Sequence, residues 1–89
     1  MKNLNDYVIE DCTDFIMWWD ETILKYGQVT VADVKDTLSD PNNEATYEDS
    51  KLGWMEMIST DNFIIKHKIT RYKVYLVCQL NLPEAKELY

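Results

Sequence analysis

The stretch FIIKHKITRYKVYLVCQL, residues 63–80, decides the fold because two sets of side chains alternate along it. A period of two is typical of a β-strand that buries one face. The pattern breaks at Thr70-Arg71, which predicts a hairpin turn. Leu82-Pro83 ends the second strand, because proline has no N–H for the ladder. The residues that we expect to face the core are Phe63, Ile65, His67, Ile69, Tyr72, Val74, Leu76, Cys78 and Leu80.

A third strand is predicted immediately before this hairpin. Residues 54–58, WMEMI, have a composition compatible with a strand, and the polar run at residues 59–62 predicts a turn. At Gly53 we expect a bulge or a close approach of another backbone. Trp54 is expected to be a pillar of the core. Three consecutive strands joined in this way form an antiparallel meander.

Residues 4–26 have the strongest helical pattern in the chain. Apolar residues recur there at steps of three or four, which places them on one stripe of an α-helix. Asn3 or Asn5 is a suitable cap for its start, and Gly27 supplies the left-handed residue that ends it. The stripe consists of Leu4, Val8, Cys12, Phe15, Trp19, Ile23 and Tyr26.

A second, shorter helix follows. Thr30 and Asp33 have the spacing of a capping arrangement, and residues 39–41, Ser-Asp-Pro, stop the helix before a polar loop at residues 39–50. The fold class is therefore α+β. A helical hairpin with a long first helix and a short second one packs on the three-stranded antiparallel meander, in the order ααβββ. We expect a single domain over residues 1–89, with residues 84–89 as a short tail or helical turn.

Charge is divided sharply along the chain. Residues 1–61 hold 14 of the 16 carboxylates against four lysines, whereas residues 62–82 hold four cations and no acid, within a net charge of −7. Phosphates would be repelled by most of this surface, which argues against direct binding of nucleic acid or an anionic membrane. A charge split of this kind determines what the surface attracts rather than the fold.

The cysteines and the first residues bear on the cellular compartment. Cys12 and Cys78 both fall at expected core positions, so we interpret them as two buried thiols, with a disulfide as the alternative for a secreted chain. No apolar run is long enough for a signal peptide or a membrane span. We expect a cytoplasmic protein.

Four acids are candidates for a binding surface. On a continuous first helix, Asp6, Glu10, Asp14 and Glu21 lie within about a quarter-turn of one another, opposite the apolar stripe. Like charges at this spacing destabilise a helix by roughly 0.2–0.5 kcal/mol per pair. The row is either a solvated face that maintains solubility or a surface that occupies a basic cleft on a nucleic-acid-binding protein.

Two aromatic residues border this acidic row. Trp18 lies at the edge of the helix stripe and Tyr7 lies on the same side, so both are candidate anchors for a protein partner. The alternative for Trp18 is that it closes the rim of the core against the sheet. A second acidic set lies in the short helix and the loop, and it either extends the same surface or is solvated. Its members are Asp33, Asp36, Asp40, Glu44, Glu48 and Asp49.

The basic residues of the hairpin also have two interpretations. Lysines on an exposed sheet commonly maintain solubility and discourage edge pairing. Alternatively, this basic face pairs with the acidic helix of another copy, which would make a homodimer or a larger assembly. The residues are Lys66, Lys68, Arg71 and Lys73.

No catalytic or metal-binding motif is present in the sequence. His67 is the sole histidine, and we expect a core or core-edge imidazole there. One histidine with two distant cysteines lacks the spacing of zinc ligands and makes no nucleophilic triad. The second acidic set lacks the regular spacing and central glycine of a calcium loop. We expect neither an enzyme nor a cofactor.

The chain resembles a group of small uncharacterised proteins of phages and mobile elements in Gram-positive bacteria. The resemblance covers residues 29–83 and rests on the valine-rich helix start VTVADV at residues 29–34, the Gly53-Trp54 pair and the Leu82-Pro83 ending. It implies a phage or mobile-element setting, in which very small acidic proteins often bind and block host machinery.

These observations lead to one functional hypothesis and one alternative. The hypothesis is a small acidic, non-catalytic binding protein that inhibits a basic, nucleic-acid-handling host protein, as an anti-CRISPR or other counter-defence protein does. Asp6, Glu10, Asp14 and Glu21 would supply the charge, and Trp18 or Tyr7 the apolar anchor. The alternative is a structural or self-assembling accessory protein that pairs its acidic helix with the basic sheet.

Overall fold

The computed structural model describes residues 3–88 and has an α+β fold. The described residues contain two α-helices and two small antiparallel sheets of three strands each. The expected class is therefore confirmed. The expected ααβββ order with a single meander is corrected, because short strands before and between the helices and near the end of the chain build a second sheet and extend the first.

The helices are α1, Cys12–Tyr26, and α2, Val31–Leu38. The first sheet has the order β1-β5-β4, with β1 at Val8–Ile9, β4 at Phe63–Ile69 and β5 at Val74–Leu80. The second has the order β2-β3-β6, with β2 at Val29–Thr30, β3 at Leu52–Trp54 and β6 at Lys86–Glu87. Single 3₁₀ turns occupy Leu4–Asp6, Glu48–Lys51 and Thr60–Asn62.

The first helix begins eight residues later than its apolar stripe predicts. Asp11 is the N-cap, and its carboxylate accepts hydrogen bonds from the N–H groups of Thr13 at 2.9 Å and Asp14 at 3.4 Å. Before it, Val8 and Ile9 pair with Gln79 and Cys78 of β5. The helical spacing of residues 4–8 is thus overridden by strand pairing with a segment 70 residues away. As expected, Gly27 ends the helix, at φ 79°.

The expected strand at residues 54–58 is also corrected. Strand β3 is shorter, lies in the second sheet, and pairs with β2 and β6 rather than with the hairpin. Gly53 allows this arrangement, because an added Cβ would overlap the Val29 carbonyl oxygen and come within 2.8 Å of the Thr30 Cα. The expectation of a close backbone approach at Gly53 is confirmed.

The predicted hairpin is confirmed, and its register runs from Phe63↔Leu80 at the base to Ile69↔Val74 at the tip. Its turn is closed by Thr70, whose N–H donates to the Lys73 carbonyl at 2.8 Å and whose Oγ1 accepts from the Lys73 N–H at 3.1 Å. Only the base of this hairpin lies against the rest of the molecule.

Aromatic side chains join the two sheets through α1. Trp19 is completely buried, lies 5.0 Å from Trp54 between ring centroids, and donates from Nε1 to the Glu56 carbonyl at 2.9 Å. Phe15 meets Phe63 of the hairpin edge-on at 5.9 Å. Burial of each large aromatic contributes several kcal/mol, so α1 is the element that unites the core. Trp54 is a core pillar, as expected, and donates to the Pro83 carbonyl at 2.8 Å.

The two ends of the described chain complete the fold. We expected residues 84–89 to form a short tail or a helical turn, but residues 86–87 form β6. Tyr89 of that prediction and residues 1–2 of the expected domain lie outside the described residues. Across residues 3–88, the helices are all too short or too polar to cross a bilayer. Cys12 and Cys78 are free thiols beside one another, and burial and this neighbour raise the pKa of the Cys12 thiol.

Candidate protein-interaction surfaces

Helix α1 carries two of the four candidate acids on its outward face. Asp14 and Glu21 are exposed and seven residues apart, which is two turns or about 10.5 Å along the axis. Met17 lies between them and Leu24 one turn beyond, and both are unusually exposed for large apolar side chains, at 56% and 77%. The outward face of α1 therefore carries both acidic and exposed apolar side chains.

The other two acids do not belong to this helix. Asp6 ends the first 3₁₀ turn, and Glu10 lies at the bend between β1 and α1. Both are exposed. The predicted single row of four acids on one helix is thus divided between α1 and the segment that precedes it, because the helix begins only at Cys12. We use the term acidic surface for Asp6, Glu10, Asp14 and Glu21.

The charge of the acidic surface is not neutralised within the described chain. Among residues 3–88 the ion pair that forms is Lys35 with Asp49, at 2.8 Å between Nζ and Oδ2. The four acids of the acidic surface take no part in it. Unpaired like charges on a small domain oppose folding through self-repulsion and attract cations from outside.

Trp18 and Tyr7, the two candidate anchors, lie in different environments. Trp18 is half-buried, with its ring centroid 5.4 Å from that of Phe15, so part of the indole remains available beside Asp14 and Glu21. Tyr7 is buried; its hydroxyl donates to Asp40 Oδ2 at 2.7 Å and accepts from Asn43 Nδ2 at 3.0 Å. Burial and the bond to Asp40 raise the pKa of Tyr7. Tyr7 therefore joins the first strand to the loop after α2, and its placement corrects the expectation of a surface anchor.

Half of the second acidic set has structural partners. Asp33 and Thr30 form the expected capping box at the start of α2, and Asp40 binds Tyr7. Asp49 accepts from Lys35 and from the Thr46 N–H at 2.9 Å. Burial acts to raise the pKa of Asp49, but the hydrogen bonds from Lys35 and Thr46 outweigh it and hold the pKa below its usual value. The exposed remainder is Asp36, Glu44 and Glu48.

The outer half of the hairpin exposes side chains that the alternation assigns to the core. Residues directly opposite in an antiparallel pair share a face, so the outward continuation of the Phe63–Leu80 face is formed by the next pairs along the register. Only the base of that face is buried, because α1 does not reach further along the hairpin. The exposed residues are Ile65, His67, Ile69, Val74 and Leu76, which we term the apolar strip.

The apolar strip corrects the expectation of core positions for five residues, including the sole histidine. Tyr72 was assigned to the same set and is also exposed, at the turn. A seven-residue strand spans about 24 Å, and the sequence does not indicate how much of that length the first helix covers.

The cations of the hairpin lie away from the apolar strip. Lys66 and Lys68 are opposite Val77 and Tyr75, on the other face of the sheet, as the alternation predicts. In the turn, the Lys73 ammonium lies 5.3 Å from the centre of the Tyr75 ring, and the Arg71 guanidinium lies 5.9 Å from that of Tyr72. The hairpin thus has one cationic face, one apolar face and a cationic tip.

Comparison of the chain with protein-family models, curated proteins and solved structures found no match. The surfaces are therefore interpreted from their own residues. The helical projection of the sequence places Met17 among the acids of α1, but the exposed Leu24 and the apolar strip were not predicted.

Proposed function

We propose that this chain is a small non-catalytic binding protein of a phage or mobile element. In this proposal it acts in the host cytoplasm and inhibits a basic, nucleic-acid-handling host protein, as a counter-defence protein of the anti-CRISPR type. The observation that carries the proposal is that the acidic surface is exposed and unpaired within residues 3–88, although the chain has nine lysines and arginines. A basic partner would remove the repulsion that these acids otherwise impose.

The acidic surface would act mainly on the rate and specificity of association. Complementary charge steers encounter and raises the association rate by orders of magnitude at low salt. A cleft that binds nucleic acid presents lysines and arginines to phosphates, and exposed carboxylates on a rigid helix occupy the same cations. The half-buried Trp18 indole and the exposed Met17 would supply apolar contact next to Asp14 and Glu21.

The proposal is tested by DNA cleavage with a panel of purified bacterial RNA-guided nucleases. The chain at micromolar concentration is expected to suppress cleavage by a member of the panel. The double variant Glu10→Lys, Asp14→Lys should weaken inhibition by roughly 10- to 100-fold, since each tenfold corresponds to about 1.4 kcal/mol and close charge pairs are worth at least that.

The matched control is Glu44→Lys with Glu48→Lys, which makes the same change in net charge at exposed loop positions. This control should inhibit nearly as well as the parent, because its changes act on the partner only through long-range charge, which salt screens. If both double variants inhibit as strongly as the parent, the acidic surface serves solubility alone. If the parent chain neither binds nor inhibits any nuclease of the panel, the proposal of a counter-defence target is rejected.

A further inference from the structure

We propose that the apolar strip binds the apolar strip of a second copy of the chain, so that two hairpins pack face to face about a two-fold axis. This inference concerns a different face from the acidic surface, with which it shares Asp14, and it does not depend on the host partner. It also differs from helix-to-sheet pairing, because the face that associates carries no lysine, arginine or carboxylate.

The apolar strip is continuous with the core. The pairs His67↔Leu76 and Ile69↔Val74 lie on the same face as Phe63↔Leu80, which α1 covers. No lysine, arginine or carboxylate is on the strip. Its aliphatic members are exposed at 52% for Ile65, 77% for Ile69, 59% for Val74 and 57% for Leu76. A contiguous exposed apolar face of this kind is typical of an interaction site.

The open edge of the hairpin is less suited to contact between copies than the strip. Strand β4 is an edge strand, which offers edge-to-edge pairing as a second way to join two copies. In the register that overlaps two antiparallel β4 strands completely, Lys66 lies opposite Lys66 of the other copy. Like charges directly opposite are destabilising, and edge lysines commonly prevent this pairing. Face-to-face packing avoids the conflict, because both lysines then point away from the second copy.

Charge complementarity selects a second copy as the occupant of the strip. Cys12, in the first turn of α1, lies beside Cys78, which is opposite Ile65 where the strip begins. From that level to the turn the hairpin extends five residues, or about 17 Å. Two such hairpins overlapped in opposite directions bring each tip, with Arg71, to the first turn of the other copy's α1. That turn carries Asp11 and Asp14, which are both exposed.

The size of the strip sets the strength that we expect. Its area, about 17 Å long and two strands wide, is smaller than the roughly 800 Å² per partner of a standard stable interface. The contacts between each tip and α1 of the other copy enlarge the interface, which still remains smaller than that of an obligate dimer. We therefore expect a reversible dimer with a dissociation constant in the micromolar range, rather than a chain that folds only as a dimer.

Sedimentation equilibrium of the purified chain between about 1 μM and 1 mM tests the inference. The expected result is a monomer at the low end and the mass of two chains at the high end. Ile69→Lys and Leu76→Lys should each weaken dimerisation at least tenfold, and Arg71→Glu several-fold. Ile64→Lys is the matched control. It also introduces a lysine into β4, but next to Ile65 on the face that points away from the second copy, so it should leave the dimer intact.

A measurement on the unmodified protein guards against variants that fail to fold. Amide chemical shifts recorded over the same concentration range should change at residues 65–76 and at the start of α1, and remain constant along α2. A chain that stays monomeric to 1 mM overturns the inference and leaves the strip to a different protein. Dimerisation that Ile64→Lys weakens as strongly as Leu76→Lys, or shift changes confined to the outward face of α1, would also overturn it.

Discussion

At the scale of single residues, the two glycines serve different purposes. Gly27 has a φ of 79° and open space around its missing Cβ, so it supplies the left-handed conformation that ends α1. Gly53 has no such backbone requirement. Its missing side chain instead lets β2 and β3 lie against each other, with the Val29 carbonyl oxygen where a Cβ would be.

This difference predicts unequal costs for the same substitution. Gly53→Ala should lower the free energy of unfolding by about 3 kcal/mol, because the overlapping atoms belong to backbone and the strands must separate. Gly27→Ala should cost only about 1–2 kcal/mol, the strain of a left-handed alanine. Urea unfolding of both variants measures the two values. An equal or smaller loss for Gly53→Ala would mean that β2 and β3 do not approach as closely as described.

Residue burial was predictable where the neighbours in sequence determine it. Trp19 and Trp54 are core residues in both the pattern and the structure, since each lies within a clear apolar set. Tyr7 was not predictable in this way, because its partner Asp40 is 33 residues away and the intervening chain must fold first. The side-chain pattern around Tyr7 contains no information on that contact.

At the scale of elements, the boundary of α1 is decided by a cap. Residues 4–8 continue the apolar spacing of the helix, yet the helix starts after Asp11. The Asp11 carboxylate satisfies two N–H groups of the first turn, which would otherwise have no partner. Strand pairing of Val8 and Ile9 with β5 then removes the preceding segment from the helix.

The sign of one substitution distinguishes the two possible boundaries. If Asp11 is the N-cap, Asp11→Ala should destabilise the protein by about 1 kcal/mol. In a helix that continued from residue 4, the same change would stabilise it by a few tenths of a kcal/mol, since alanine is the better helix former. Asp14→Ala is the control, and it should change stability by less than Asp11→Ala. Thermal unfolding of the three proteins reads out the sign.

The elements that were predicted correctly have local signals. The hairpin follows from its period of two and a polar turn, and α2 from its capping box, all within a few residues. The helix start, β3 and the division into two sheets depend on pairing between segments 20 to 70 residues apart. Periodicity indicates that a segment has two faces, but it does not indicate how far a neighbouring element covers one of them, which is why the apolar strip was missed.

At the scale of the whole molecule, shape and charge are arranged along one direction. The chain extends 47 × 27 × 18 Å, and the hairpin protrudes from a body that carries most of the acids. Attraction between the cationic hairpin and the acidic body of the same copy is limited by this separation. Repulsion among the acids of the body acts at shorter range and is therefore the larger electrostatic contribution to stability.

This balance predicts that salt stabilises the protein. At 10 mM ionic strength charges interact over about 30 Å, and at 0.1 M over about 10 Å, so added salt screens the repulsion within the acidic body. The free energy of unfolding, measured at a few micromolar protein to keep it monomeric, should rise by roughly 1 kcal/mol from 10 mM to 0.3 M NaCl.

In the variant Glu10→Gln, Asp14→Asn the rise should be visibly smaller, because two of the repelling charges are gone. Lys66→Gln with Lys68→Gln, which changes two cations on the distant hairpin, should retain the full rise. Stability that falls with salt would instead mean that attraction between the hairpin and the body exceeds repulsion among the acids, and the acidic surface would then be paired in solution.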